Sequence, residues 1–162
     1  MSLSRKIAAA VEARRDQPGA AAPGELAIGE GPHRLTLRLS AAGPVGLAFD
    51  TLEFQTAARD DWPIEALTAW GRALAARVTY LMEPLSVLEA DAAGGEVVLR
   101  SQAPTPRLGH HSFYEIRLGR PGTLRLGRVT FDEPTRRRRP APCQITLEVL
   151  ERLADDLVAS VP

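Results

Sequence analysis

The chain has 162 residues, of which 44% are hydrophobic, so it is long enough for one domain with a buried core. Its formal net charge is zero. Neutrality argues against a protein that binds nucleic acid or another polyanion over its whole surface, although it leaves a local basic patch open. The single cysteine, Cys143, excludes an intramolecular disulfide.

The basic residues are almost all arginine, because 19 Arg accompany one lysine, Lys6, and asparagine is absent. Codons for arginine and alanine are rich in G and C, so this usage predicts a GC-rich, bacterial genome. The apolar run from Ile7 to Val11 is too short for the core of a signal peptide, and no stretch reaches the length of a membrane span. We therefore expect a soluble cytoplasmic protein with a reduced thiol and no membrane partner.

The N-terminal segment predicts a helix over residues 4–16, capped by Ser2 or Ser4. Residues 18–24 follow and read Pro-Gly-Ala-Ala-Ala-Pro-Gly, a composition that breaks regular structure. We therefore predict a helix and linker over residues 1–24 and an α+β domain over residues 25–162. The linker suggests that this helix docks loosely or on a partner.

The next segment alternates between apolar and polar residues, which predicts strands. Leu26 to Ile28 indicates a short strand, and Leu35 to Leu39 alternates strictly. After a turn at Gly43, Val45 to Phe49 returns on one face. The apolar set then shifts by one position after Asp50, as a β-bulge produces.

A central helix is predicted after Asp60 and Asp61, either of which can cap it, with Pro63 tolerated in its first turn. An apolar stripe runs from Ile64 to Leu81, and Pro84 ends it. Beyond it, residues 87–91 and 96–101 predict a hairpin.

The clearest hairpin covers residues 112–131, because alternation continues on both sides of a Pro-Gly turn. A loop with an odd number of residues sets Leu118 opposite Leu124 and Arg117 opposite Arg125, whereas a two-residue turn would oppose buried and exposed side chains. Beyond Gly127 the apolar positions shift, so Gly127 is a candidate bulge.

Residues 132–142 predict a polar loop, and residues 147–161 predict the most regular helix, capped by Thr146. The resulting order is one helix, three strands, one helix, four strands and one helix. It predicts an α+β fold in which an antiparallel sheet of about six to seven strands carries the N-terminal, central and C-terminal helices mainly on one face.

Motifs of catalysis and cofactor binding are missing from the sequence, so we predict no cofactor. A dinucleotide fingerprint starting at Gly29 would need glycine where Arg34 stands. Nucleophilic catalysis has only weak candidates, because Ser112 is merely adjacent to His111, and Cys143 precedes an apolar helix as a small hydrophobe.

His110 and His111 are the candidate metal ligands, with His33 and Cys143 as possible completions. Neighbours in a strand point to opposite faces, so the pair cannot share one ion if the strand begins at His110. The spacing matches no structural zinc pattern. We therefore expect ordinary histidines and no metal.

An arginine cluster is the strongest functional signal. Like charges opposed across two strands are mildly destabilising unless an anionic ligand, neighbouring carboxylates or solvent neutralises them. Arg128 is expected to reach Glu115, and only Phe113 is expected to offer an aromatic ring on this face. The candidate anion-binding residues are Arg117, Arg125, Arg128, Arg136, Arg137, Arg138 and Arg139.

These features favour a non-catalytic binding or protein-interaction module over an enzyme. An outward Phe113, packed under the N-terminal helix or in a subunit contact, favours a homodimer. One alternative is an enzyme that acts on an anionic small substrate at the Arg-lined hairpin. Another is a nucleic-acid partner through residues 136–139, which the neutral net charge makes less expected.

Overall fold

The computed structural model describes residues 1–17, 23–101 and 110–162. These residues form three helices and nine strands. In chain order they are α1 (Leu3–Arg15), β1 (Gly24–Glu30), β2 (His33–Ala42), β3 (Leu47–Thr56), α2 (Ile64–Arg77), β4 (Leu85–Asp91), β5 (Glu96–Ser101), β6 (His110–Gly119), β7 (Thr123–Asp132), β8 (Arg137–Ala141), β9 (Cys143–Ile145) and α3 (Leu147–Ser160).

The strands form one antiparallel sheet in the order β1-β2-β3-β7-β6-β5-β4, with β8 paired to β7 and β9 paired to β3. Strand β7 pairs with β3 through residues 123–127 and with β8 from Arg128 onward. Strand β3 pairs in turn with β9 through residues 47–49. The sheet therefore divides beside Gly127, because β8 and β9 lie between β3 and β7 beyond that point.

The three helices share the apolar face of the sheet, which confirms the predicted α+β architecture. Helix α2 approaches β4 and β5 closely at Gly71, where an added Cβ would lie 3.3 Å from the side chains of Val87, Val97 and Leu99. Trp70 is fully buried in α2, and its Nε1 donates a hydrogen bond of 3.0 Å to Ser160 Oγ of α3. No helix in the described part of the chain has the length and apolar character needed to cross a membrane.

Helix α1 belongs to this core, contrary to the expectation that it docks loosely. Leu3, Ile7 and Val11 are buried in the same apolar cluster as the sheet, and α1 contacts α3. Ser2 caps the helix as predicted, since its Oγ accepts from the backbone N–H of Arg5. Most of the predicted linker, residues 18–22, lies outside the described residues, and the division at residue 24 stays a prediction.

Several sequence-based details are confirmed. The loop between β6 and β7 has three residues, which sets Leu118 opposite Leu124 and Arg117 opposite Arg125. The ladder between β2 and β3 skips Asp50, as the predicted bulge requires. The hairpin of β4 and β5 also forms as predicted, and Thr146 Oγ1 accepts from the N–H of Val149 to cap α3.

The β6–β7 turn needs glycine at residue 122 for two reasons. Its φ is +91°, a region that side chains with a Cβ rarely adopt. An added Cβ would also lie 2.7 Å from the carbonyl oxygen of Thr56 and 2.7 Å from Trp62 Nε1. The turn is thus packed against Thr56 at the end of β3 and against Trp62, which precedes α2.

The predicted boundaries of the central helix were wrong. Pro63 occupies the N-cap position and no side chain caps the helix, so neither Asp60 nor Asp61 has the predicted role. The helix ends at Arg77 instead of continuing toward Pro84. The apolar stripe misled the prediction because Val78 and Leu81 remain buried after the helix has ended.

Two predictions in the C-terminal half were also wrong. Residues 137–141, predicted as loop, form β8, because backbone pairing with β7 defines this strand although its side chains are mostly exposed. Gly127 is no bulge, since the β6–β7 ladder runs without a register shift from His110 to Gly119. The alternation of faces along β7 therefore continues past Gly127, and Val129 and Phe131 lie on the face of the sheet that points away from the core.

Candidate functional site

The sheet has a second face, on which none of the described helices packs, and we call it the outer face. It carries the side chains that alternate with the buried ones, so its centre is charged. Arg117 of β6 and Arg125 of β7 are directly opposed there, as the sequence predicts. We call these two residues the arginine pair.

Glu115 lies beside the arginine pair and binds three guanidinium groups. Its Oε2 accepts from Arg100 Nε and from Arg138 Nη2, each at 2.8 Å, and its Oε1 accepts from Arg117 Nε at 3.1 Å. Arg117 also bridges to Glu96, with 2.6 Å between Nη1 and Oε1. Three strands thereby converge on one carboxylate, which ties β8 to the middle of the sheet.

The charges around Glu115 fix its ionisation. Burial by itself would raise the pKa of this carboxyl, but the hydrogen bond from Arg100 and the charges of Arg138 and Arg117 outweigh burial and lower the pKa below its usual value. Burial likewise opposes the charge of Arg117, yet Glu115 and Glu96 raise its pKa. The glutamate is therefore an anion with its oxygens occupied.

Arg125 differs from Arg117 in having no ion pair within the described part of the chain. Its neighbours across the two ladders are Glu53 on β3 and Arg117 on β6. The side chain is exposed. Arg34 on β2 is also exposed and without an ion pair among the described residues. Two guanidinium groups on this face are consequently available to an anion from solution.

Two cavities flank the arginine pair, and both are lined by Arg117 and Arg125. The central cavity, of about 430 Å³, also has Arg34, Glu53 and Glu96 in its wall. The split cavity, also about 430 Å³, lies where β8 enters the sheet and is lined in addition by Asp50, Glu115, Gly127, Arg138 and Arg139. Gly127 stands opposite Glu115 in the ladder, and its missing side chain leaves this space open.

Aromatic rings lie beside the split cavity on the same face. The guanidinium carbons of Arg100 and Arg138 stand 5.2 and 5.9 Å from the ring centre of Phe113. His111 and Phe131 are ladder partners with ring centres 6.5 Å apart. A third cavity of about 420 Å³, which we call the aromatic cavity, is lined by all five of these residues.

Phe113 faces outward as predicted, but the helix expected to cover it lies elsewhere, since α1 contacts β1, β2 and α3. The prediction of a single aromatic residue on this face was wrong, because Phe131 joins it. The assumed bulge at Gly127 hid this residue, whereas an uninterrupted alternation along β7 would have revealed it. Strict alternation along β5 would likewise have placed Arg100 on the outer face, where the β5–β6 ladder sets it opposite Glu115.

Not all predicted anion-binding residues converge. Arg128 borders the split cavity but does not reach Glu115. It pairs with Tyr114 in the ladder, and its guanidinium lies over that ring, 4.8 Å from the centre, on the helix-bearing side. Arg136 lies in a turn with φ of +57°. Alternation along β8 sends Arg137 and Arg139 to the side opposite Arg138, although Arg139 still borders the split cavity.

The predicted metal candidates lie in three strands, with His33 in β2, His110 and His111 in β6, and Cys143 in β9. Strand β6 begins at His110, so the two histidines are successive residues of one strand. His111 Nε2 lies 3.1 Å from Glu133 Oε1. His33 stacks on Phe54 with ring centres 5.5 Å apart. No group of three potential ligands occurs among the described residues.

Cys143 is a poor nucleophile in this structure. It is fully buried in β9, opposite Phe49 of β3. Burial raises the pKa of its thiol to about 12, so the thiolate is scarce at neutral pH. The residue packs as a small apolar side chain, in line with the sequence-based expectation.

The outer face thus offers charge, aromatic surface and concavity. Neither a protein-family model, nor a curated protein, nor a solved structure matches this chain.

Proposed function

We propose that this protein is a non-catalytic binding module whose outer face holds an anionic ligand at the arginine pair. The observation that carries the proposal is the position of Arg125, which is exposed, unpaired among the described residues and directly opposite Arg117. Glu115 and Glu96 already neutralise Arg117, whereas Arg125 has no carboxylate partner among the described residues, so an anion from solution would supply the charge that Arg125 lacks. Planar guanidinium groups also bind carboxylate or phosphate oxygens with two parallel hydrogen bonds.

The chemistry of the face supports binding over catalysis. Proton transfer needs a group that is ionisable near neutral pH and free to reach a ligand. Glu115 fails this requirement because its pKa is lowered and three arginines occupy its oxygens. Cys143 is buried on β9 with a raised pKa, so neither Glu115 nor Cys143 is suited to act as an acid, base or nucleophile.

The split cavity is the favoured position for the anion. Each cavity has two carboxylates in its wall, Asp50 and Glu115 in the split cavity and Glu53 and Glu96 in the central cavity. The split cavity adds Arg138 and Arg139 to the arginine pair, whereas the central cavity adds Arg34 alone, so the split cavity has the greater excess of positive charge.

The test is thermal unfolding with inorganic phosphate and pyrophosphate at fixed ionic strength. A ligand that binds only the folded protein stabilises it by about 1–3 kcal/mol when its concentration greatly exceeds its dissociation constant. We expect this shift in the parent and its loss in Arg125→Ala. Arg72→Ala is the matched control, because Arg72 is exposed on α2, away from the outer face.

Equal stabilisation of the parent, Arg125→Ala and Arg72→Ala would contradict the proposal. Such a result would mean that the anions act by exclusion from the protein surface, which stabilises any compact protein without a site.

The homodimer, the cytoplasmic location and the bacterial origin stay predictions. Strand β4 supports the dimer, because it is a terminal strand of the sheet and its residue Leu88 is 54% exposed. A second copy that pairs along β4 would extend the sheet and cover Leu88. Light scattering of the purified protein measures the oligomeric state directly.

A further inference from the structure

The aromatic and arginine-rich parts of the outer face adjoin each other, and one residue belongs to both. Arg138 lines the aromatic cavity and the split cavity. Its guanidinium binds Glu115 on one side and stands over the ring of Phe113 on the other. A ligand that spans the two cavities would therefore meet stacking surfaces at one end and guanidinium groups at the other.

The aromatic cavity has the composition of a site for a planar ring. Phe131 and His111 are half-buried, so their rings are held by neighbours while part of their surface stays accessible. Bases in single strands and in nucleotides stack on such side chains and on the planes of arginine guanidinium groups. The volume of about 420 Å³ lies in the range of small-molecule sites.

The charges fix the orientation of such a ligand. Glu133 lines the aromatic cavity and lies 3.1 Å from His111, so an anionic group is repelled from that end. The split cavity at the other end holds the arginine pair, of which Arg125 has no ion pair among the described residues. The anionic group of the ligand accordingly lies on the side of Arg125.

We propose that the outer face binds a nucleotide unit, with the base in the aromatic cavity and the phosphate in the split cavity at the arginine pair. This inference rests on the proposed function, since it names the class of anion held there. The shared chemistry is a planar heterocycle joined to a phosphate, as a free nucleotide or within a single strand of nucleic acid. Binding is thereby assigned to the outer face, to which the arginine run of residues 136–139 contributes Arg138 and Arg139 and no separate site.

The test is calorimetric titration with inorganic phosphate, adenosine monophosphate, and single-stranded and duplex DNA of about ten nucleotides. Stacking of one base strengthens binding by about tenfold or more. We expect adenosine monophosphate to bind the parent that much more tightly than phosphate. We expect Phe131→Leu to abolish the gain, because it keeps apolar volume and removes the ring, and Phe131→Tyr to retain it.

The controls separate this inference from the proposed function. Arg125→Ala weakens phosphate and nucleotide alike, whereas Phe131→Leu leaves phosphate binding unchanged. Val45→Ala, a truncation of an exposed apolar residue between β2 and β3, changes neither. Circular dichroism and the melting temperature verify that each variant is folded.

The outcomes are distinct. If phosphate binds at Arg125 but adenosine monophosphate binds no more tightly, or Phe131→Leu has no effect, the nucleotide inference is overturned and the anion site stands. If no anion binds, the anion site and the nucleotide inference are both overturned. Tighter binding of the single strand than of the monophosphate or the duplex, with loss in Phe131→Leu, supports the inference with nucleic acid as the source. Binding of the monophosphate alone supports a free nucleotide.

Discussion

Glu115 shows how a single residue organises the outer face. Its carboxylate is buried on an otherwise solvated sheet surface, and guanidinium groups from β5, β6 and β8 bind it. Hydrogen bonds to charged groups contribute about 1.5–3 kcal/mol each when both partners are well placed. Glu115 binds Arg117 and leaves Arg125 as the member of the arginine pair without a carboxylate partner among the described residues. Glu115 therefore both stabilises the outer face and determines which arginine can bind an anion.

The pH dependence of folding tests this role. The pKa of Glu115 is lowered in the folded protein, so its contribution is fully present above the usual value of 4.5 and is lost as the pH falls through the folded value. We expect Glu115→Gln to lower the free energy of unfolding by about 1–3 kcal/mol at pH 7. Urea unfolding of the parent and the variant should converge toward pH 3.

Glu12→Gln is the control for this experiment, because Glu12 is exposed on α1. It should remain within about 0.5 kcal/mol of the parent. A difference between parent and Glu115→Gln that stays constant from pH 7 to pH 3 would show that the carboxylate charge is not what the three arginines stabilise.

The reactivity of Cys143 tests its buried position in β9. Because Cys143 is buried and its pKa is raised to about 12, a thiol reagent should label the folded protein on the order of a hundredfold more slowly than the unfolded chain. Labelling at pH 8 with and without denaturant measures the ratio. Rapid labelling of the folded protein, or a disulfide-linked dimer on a non-reducing gel, would contradict the buried position.

At the scale of elements, the sequence predicts best where residue alternation and packing agree. The β6–β7 hairpin was predicted in register because Leu118 and Leu124 must share the buried face. Strand β8 was missed because Arg137, Arg138 and Arg139 show no apolar alternation, and only backbone pairing with β7 defines it. The wrong bulge at Gly127 had a larger effect, since it reversed the expected faces of Arg128 and Phe131 and hid half of the aromatic cavity.

Helix α3 provides the stability test for the core. Leu153 is 1% exposed and belongs to the shared apolar cluster. Leu153→Ala should lower the free energy of unfolding by about 2–5 kcal/mol, the range for a buried leucine. Asp155→Ala on the exposed side of the same helix should change it by less than about 0.5 kcal/mol. Chemical denaturation compares the two, and similar values would mean that α3 does not pack through Leu153.

At the scale of the whole molecule, the fold separates stability from binding. One face of the sheet carries the three described helices and the apolar core. The other carries the ion pairs of Glu115, the rings of Phe113 and Phe131, and the central, split and aromatic cavities. The sheet divides beside Gly127, where β7 changes its partner from β3 to β8, and the split cavity lies at this point. The sequence shows the arginines but not this division, because β8 and β9 pair with strands distant in the chain.

An NMR titration that follows the side-chain Nε resonances of arginine, as phosphate is added at constant ionic strength, shows directly whether an anion binds at the arginine pair. We expect saturable shifts at Arg117, Arg125 and Arg138, which line the split cavity, and none at Arg72 on α2. Shifts that are absent from the arginine pair, or that grow uniformly at every arginine without saturation, would contradict a binding site on the outer face.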